Sequence, residues 1–200
     1  LPNSTSISLF SICIVNSFVN PVIYQKKYTG YFMKKLYTIG HSTRNIDEFI
    51  DLLSEHEIGV LMDVRRFPGS KRHPQFNKGN LAESLPDAGM EYRHEERLGG
   101  RRGKPGKDSA NGGWKSDGFQ AYADHLLSET GQSALTALKR TAENKTTAIM
   151  CAEAVPWRCH RQIISDHLVA REFRVIHILG PGQTDNHALR SMAQVKEKKR

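Results

Sequence analysis

The sequence predicts an α/β fold of three layers, a mostly parallel sheet flanked by helices, as a single domain over residues 33–180. From Met33 onward, period-two apolar runs alternate with amphipathic helical runs, which is typical of this fold class. Ile58–Val64 is an apolar run of the kind that is buried on both faces of a parallel sheet. A chain of 200 residues is of single-domain size, so we expect one buried core.

The first elements follow from local patterns. Lys34–Ile39 alternates apolar and polar residues and predicts the first strand, and Ile58–Val64 is the second. Asn45 starts the helix between them, because Glu48 three positions later forms a capping box ahead of an apolar stripe. Residues 67–115 are rich in Gly, Pro and basic residues. We expect them to form a long basic loop that is a lid, a binding element or disordered.

The remaining elements are predicted from periodicity in the same way. They are a short helix at Leu81–Leu85, a brief strand around Tyr92 and His94, helices at Phe119–Ser128, Gln132–Glu143 and Cys159–Arg171, and strands at Thr147–Cys151 and Val175–Leu179. Residues 181–200 are expected to be a polar basic tail. Residues 1–32 differ in composition and are interpreted as an extraneous upstream segment or a membrane anchor. A membrane is a partner only if that segment is genuine.

The charge balance favours an anionic partner. Lys and Arg number 29 against 21 Asp and Glu, a formal net charge of +8. Such a charge suits an anionic small molecule that bears phosphate, or nucleic acid, although charged loops and tails also serve solubility. The domain contains two cysteines, Cys151 and Cys159, which are too few for a secreted disulfide framework. We therefore expect a cytoplasmic location.

Residues with reactive side chains directly follow several of the predicted strands. Open α/β sheets bind ligands beyond the carboxyl ends of their strands, which is where these residues are expected to lie. Three separate segments bring such residues to that edge. A functional role explains this convergence more easily than a purely structural role does. The candidate catalytic residues are Cys151, Glu153, His41 and Asp63. The candidate substrate-binding residues are Arg44, Arg65, Arg161, His160 and Ser42.

These same segments resemble the domain-of-unknown-function family 488. The resemblance covers about residues 35–178 and depends on five short sequence motifs that occur in the same order as in the family. They are Thr38–Arg44, Asp63–Ser70, Pro74–Asn77, Leu98–Gly100, and Met150–Glu153 with Cys159–Arg161. The resemblance supports the domain boundaries and the site, but it implies no reaction. The segment Gly69–Arg72 departs from the family pattern, so the resemblance implies no role for Lys71 and Arg72.

Cys151 is a candidate nucleophile, because a thiol that faces a helix N-terminus beside an arginine has a lowered pKa. The alternative is that it is a small buried hydrophobe. Cys159 and His160 are adjacent and are expected to leave a helix on different faces. Zinc accepts the ligand types of Cys151, Cys159, His160 and His41, but no metal-binding spacing supports a site, so no metal is assigned. The cofactor stays open.

His41 is the best acid–base candidate because the ordinary histidine pKa lies near neutrality, although it also suits a helix-capping role. Asp63 and Glu153 are general bases, or they orient Arg65 and Arg161 through bidentate pairs.

Three functions are consistent with these residues. The first is an enzyme that acts on a phosphate-bearing or nucleotide-like substrate. The second is a non-catalytic nucleic-acid-binding module in which the basic loop acts with Trp114 and Tyr92 as stacking surfaces. The third is a thiol redox sensor that uses Cys151 and Cys159. The first ranks highest, because it accounts for both the arginines and the cysteines.

Overall fold

The computed structural model describes residues 10–14, 34–190 and 193–197. Its strands are β1 (Phe10–Ile14), β2 (Lys35–Gly40), β3 (Val60–Asp63), β4 (Glu91–His94), β5 (Thr147–Cys151), β6 (Arg174–Gly180), β7 (Gln183–Asn186) and β8 (Ala193–Glu197). Its α-helices are α1 (Ile46–Glu55), α2 (Lys78–Asp87), α3 (Asp117–Leu127), α4 (Glu129–Asn144) and α5 (Arg161–Val169). Each strand and helix predicted after residue 33 is present, with ends that differ by a few residues.

Six strands form one sheet in the order β4-β3-β5-β2-β6-β7. Neighbours among the first five are parallel, and β7 pairs with β6 antiparallel. A separate antiparallel pair joins β1 to β8. The predicted α/β class with a mostly parallel sheet is therefore confirmed.

Two apolar layers cover the two faces of the sheet, because side chains alternate along each strand. Along β2, Leu36 packs with α3, α4 and α5, whereas Tyr37 faces the opposite layer with α1 and α2. The α1 helix begins as predicted, since the side chain of Asn45 accepts a hydrogen bond of 2.7 Å from the backbone N–H of Glu48. The three-layer arrangement follows from this division of the helices.

The expected tail does not begin where the sequence suggested. Gln183–Asn186 forms the edge strand β7, which is exposed along its whole length and pairs back onto β6. Gly182 has a φ of +63°, so a tight turn returns the chain, and Pro181-Gly182 was the signal for it. In the described part of the chain, no helix has the length and apolar character to cross a membrane. Most of residues 1–32 lie outside the described residues.

The connections around β2 and β5 create a crevice. These two strands are adjacent and parallel, but the chain leaves β2 toward α1 on one face and leaves β5 toward α5 on the other. Loops that diverge in this way leave an opening at the carboxyl ends of the strands, which is where open α/β sheets bind ligands. The fold therefore places His41 and Cys151 in the lining of this opening.

Candidate functional site

A cleft of about 590 Å³ opens beyond the carboxyl ends of β2, β3 and β5. His41, Arg65 and Cys151 line it from these three strand ends, and Cys159 and His160 line it from the segment before α5. Residues 100–103 of the basic loop line it as well. Open α/β sheets bind ligands beyond the carboxyl ends of their parallel strands, a generalisation that we call the crevice rule. The cleft lies at the edge of the sheet that this rule selects.

Three of the lining side chains converge in what we call the cysteine–histidine cluster: Cys151, Cys159 and His160. Nδ1 of His160 lies 3.6 Å from Sγ of Cys159 and 3.8 Å from Sγ of Cys151. The three ligand atoms all lie within 4.8 Å of one another. On its other side, Nε2 of His160 donates a hydrogen bond of 2.8 Å to the carbonyl of Val64. Nε2 thus carries the proton, and in the neutral ring the lone pair of Nδ1 faces the sulfurs.

The expectation that Cys159 and His160 diverge on a helix is wrong, because neither residue lies inside one. Pro156–Arg158 forms a single 3₁₀ turn, and Cys159 after it is extended, with φ −132° and ψ 151°. His160 caps the N-terminus of α5. The change from extended to helical backbone between these two residues turns both side chains toward Cys151.

The pKa values of the two thiols are shifted in opposite directions. Their mutual hydrogen bond and burial raise the pKa of Cys151 well above its usual value. Burial also opposes ionisation of Cys159, but a hydrogen bond from Cys151, the protonated form of the His160 ring and the charge of Arg161 hold its pKa well below the usual value. The lowered pKa predicted for Cys151 is therefore wrong, because Cys151 stabilises the thiolate of its neighbour.

A buried arginine and a glycine hold the loop between Cys151 and the cluster's other two members. Arg161 is fully buried and donates to the carbonyls of Glu153 and Ala154 and, at 3.3 Å, to the hydroxyl of Thr38. The loop lies so close to β2 that a Cβ on Gly40 would be 1.8 Å from the carbonyl oxygen of Glu153. Arg161 therefore positions the loop and does not reach into the cleft, contrary to its predicted substrate-binding role.

Asp63 forms a buried bidentate pair with Arg65. Its oxygens accept from Nε and Nη2 of Arg65 at 2.8 and 2.6 Å, and Oδ2 also accepts from the hydroxyl of Tyr92 at 2.8 Å. Arg65 donates further to the carbonyl of Phe76 at 2.6 Å. Of the two alternatives for Asp63, the orienting pair is the one that these contacts describe.

His41 is buried and neutral. Its Nδ1 donates to the carbonyl of Ser42 at 2.9 Å, and its Nε2 accepts from Nη1 of Arg65 at 3.3 Å. The ring also stacks on Phe76 with centroids 4.3 Å apart. Burial, with the charge of Arg65, lowers the pKa of His41 to about 4. The expected near-neutral pKa is therefore wrong, and both ring nitrogens already have partners.

Two other predicted binding residues lie outside the cleft lining. Arg44 donates to the carbonyls of Gly40 and Leu179 at 2.6 and 2.7 Å and contacts Glu48 at 3.3 Å. Ser42 has a φ of +52° and donates its backbone N–H to the carbonyl of Ala152 at 2.9 Å. Arg44, Arg65 and Arg161 thus do not form one anion site, because Arg44 and Arg161 do not line the cleft.

Four further arginines line the cleft: Arg66, Arg101, Arg102 and Arg158. Arg66 lies over the ring of Phe67 at 5.4 Å and donates to the carbonyl of Arg101 at 2.5 Å, and Arg158 is exposed. Arg66 and Arg158 follow two of the predicted strands, and Arg101 and Arg102 belong to the basic loop, but none of the four was among the predicted substrate-binding residues. We call these four side chains the basic rim.

Glu153 is the candidate carboxylate that lines the cleft, and its side chain is exposed. By contrast, the two residues suggested as stacking surfaces are otherwise engaged. Trp114 is buried under the guanidinium of Arg190 at 4.4 Å, and Tyr92 is bonded to Asp63. The exposed aromatic at the cleft is Phe67, with 64% of its surface accessible.

Comparison with known proteins gives one match. The family model described as "Domain of unknown function DUF488" matches residues 45–168, which is more than half of the chain. The match spans the loop after β3, the basic rim and the cysteine–histidine cluster. No curated protein and no solved structure matches the chain.

Proposed function

Since the chain belongs to the DUF488 family, whose description states no activity, we propose from the site itself that it is an enzyme acting on a phosphate-bearing or nucleotide-like substrate. The observation that carries this proposal is the position of the cysteine–histidine cluster at the floor of a cleft whose rim is basic. Cysteine and histidine side chains that converge in a concave site are typical of catalytic centres.

The basic rim supports the choice of an anionic substrate. Several guanidinium groups at one opening raise the local concentration of anions and bind phosphate oxygens through charge-assisted hydrogen bonds. Phe67 extends beside Arg66, so a planar base has an apolar face to stack on while its phosphate binds the rim. This arrangement favours a nucleotide-like molecule over a bare inorganic anion.

The chemistry is assigned to the floor of the cleft. The cluster offers thiol and imidazole groups to a substrate that the rim holds, and Glu153 supplies a carboxylate at the same cleft. His41 and Asp63 act as positioning residues, since both are bonded to Arg65. The free thiols suit a reducing, cytoplasmic compartment, which belongs to the same proposal.

The two alternatives account for less of the site. A nucleic-acid-binding module lacks the suggested surfaces of Trp114 and Tyr92 for stacking bases. A redox sensor explains why Cys151 and Cys159 lie together, but it gives no role to the basic rim.

Binding of phosphate compounds tests the proposal. We expect nucleoside phosphates to raise the melting temperature more than inorganic phosphate does, with about 2.7 kcal/mol of stabilisation at 100 times the dissociation constant. The double substitution Arg66→Ala with Arg158→Ala removes most of this shift, because it deletes two charges of the rim. Arg140→Ala, an exposed arginine on α4, is the matched control and keeps it. Equal shifts in the double variant and the wild type would contradict the proposal, as would the absence of any shift.

A further inference from the structure

The cysteine–histidine cluster has the spacing of a tetrahedral metal site. Zinc binds cysteine sulfur at about 2.3 Å and histidine nitrogen at about 2.05 Å, so tetrahedral geometry puts sulfur and nitrogen roughly 3.6 Å apart. The observed distances from Nδ1 of His160 are 3.6 Å to Cys159 and 3.8 Å to Cys151. The two sulfur atoms lie within 4.8 Å of each other. All three ligand atoms therefore fit around one central ion.

The orientation of the His160 ring also fits metal binding. Its Nε2–H donates a hydrogen bond to the carbonyl of Val64, which fixes the ring and leaves the lone pair of Nδ1 to bind a metal ion. Metal-binding histidines are commonly fixed in this manner by a hydrogen bond from the other ring nitrogen. One lone pair faces two sulfurs, and it can accept a hydrogen bond from only one thiol at a time. A cation between the three atoms satisfies all of them at once.

We infer that Cys151, Cys159 and His160 bind a zinc ion whose fourth coordination position opens into the cleft. Three protein ligands with an open position characterise catalytic zinc sites, whereas structural sites have four. Two thiolates and an imidazole are a soft ligand set that suits zinc, and their charge balances that of the divalent ion. His41 does not complete the set, because both of its ring nitrogens bind other groups.

The inference names the metal of the same site and rests on the proposed function only for what the open position does. That position faces the space where the basic rim would hold an anionic substrate, so it takes a water molecule or a substrate oxygen. Metal binding itself is measured without any substrate.

The experiment uses the full chain, stripped with a chelator under reducing conditions and then equilibrated with zinc alone or cobalt alone. We expect one zinc per chain by elemental analysis, and a cobalt spectrum with a thiolate charge-transfer band and tetrahedral d–d bands. Cys151→Ser, Cys159→Ser and His160→Gln each lower zinc affinity by more than the roughly 10–100-fold typical of second-shell changes. Cys13→Ser is the control, and it retains full stoichiometry and spectrum.

The wild-type chain alone decides the outcome if a ligand variant fails to fold. Failure of the reduced wild type to bind zinc overturns the inference, as does zinc bound without thiolate bands in the cobalt form. Full zinc binding by Cys151→Ser and Cys159→Ser together places the ion elsewhere and overturns it too. If zinc does not bind but nucleoside phosphates still raise the melting temperature through the rim, the metal inference fails and the proposed function stands.

Discussion

Replacing Asp63 with alanine is expected to lower the free energy of unfolding by about 3–5 kcal/mol, the usual cost of breaking a buried ion pair. Asp63 is fully buried, and Arg65 beside it is 7% exposed, so the substitution leaves a guanidinium without its counterion in the interior. The hydroxyl of Tyr92 and the backbone N–H of Arg65 lose their acceptor as well. Urea unfolding of the wild type and the variant measures the difference.

A double-mutant cycle with Arg65→Met separates the structural role of Asp63 from a catalytic one. If the carboxylate acts by holding Arg65, the double variant is more stable than Asp63→Ala alone, because no unpaired charge remains. Asp63→Asn keeps a partner for Tyr92 and is expected to cost less than Asp63→Ala. An Asp63→Ala protein with the stability of the wild type but without turnover would return Asp63 to a catalytic role.

Acid is expected to destabilise the protein well above the pH at which carboxylates titrate. Burial lowers the pKa of four histidines: His125, His41 (to about 4), and His167 and His177 (to about 3). Above about pH 6.5 these rings are neutral in both the folded and the unfolded state. Below that pH the unfolded chain binds protons that the native rings do not, so stability falls as pH falls toward 4.

The size of this effect makes it measurable by urea unfolding at a series of pH values between about 7.5 and 5. Each ring contributes a slope of about 1.4 kcal/mol per pH unit once the two states differ fully in protonation. His167→Gln removes one titrating ring, so the slope in that variant should fall by about one proton. A free energy of unfolding that is flat over this range, or a slope unchanged in His167→Gln, would contradict burial of these rings in the neutral form.

Most of the fold was predictable because it depends on local patterns. The Asn45 cap and the apolar run that includes β3 are properties of neighbouring residues, and both are found in the structure. The edge strand β7 was missed since its four residues are polar and exposed, and hydrophobic periodicity carries no signal there. The order of strands, with β5 between β3 and β2, depends on packing between distant segments and was not predicted.

The residues of the site were easier to predict than their roles. Parallel strands bring His41, Arg65 and Cys151 to one edge, so the crevice rule selected all three for the cleft. Whether an arginine binds substrate or protein depends on which way its side chain turns. Arg65 and Arg161 turn inward to Asp63 and to backbone carbonyls. Arg66 and Arg158, one and three positions away from them, are more exposed and belong to the basic rim, and residue type does not distinguish the two orientations.

The basic rim and the cysteine–histidine cluster are expected to form one site. Side-chain NMR spectra of the isotope-labelled histidine rings, recorded during titration with a nucleoside phosphate, test it most directly. We expect the signals of His160 and His73, which line the cleft, to shift along one saturation curve, whereas those of His56 and His187 outside it stay in place. Saturable binding that leaves His160 unchanged, or that shifts His56 and His187 instead, would contradict the claim.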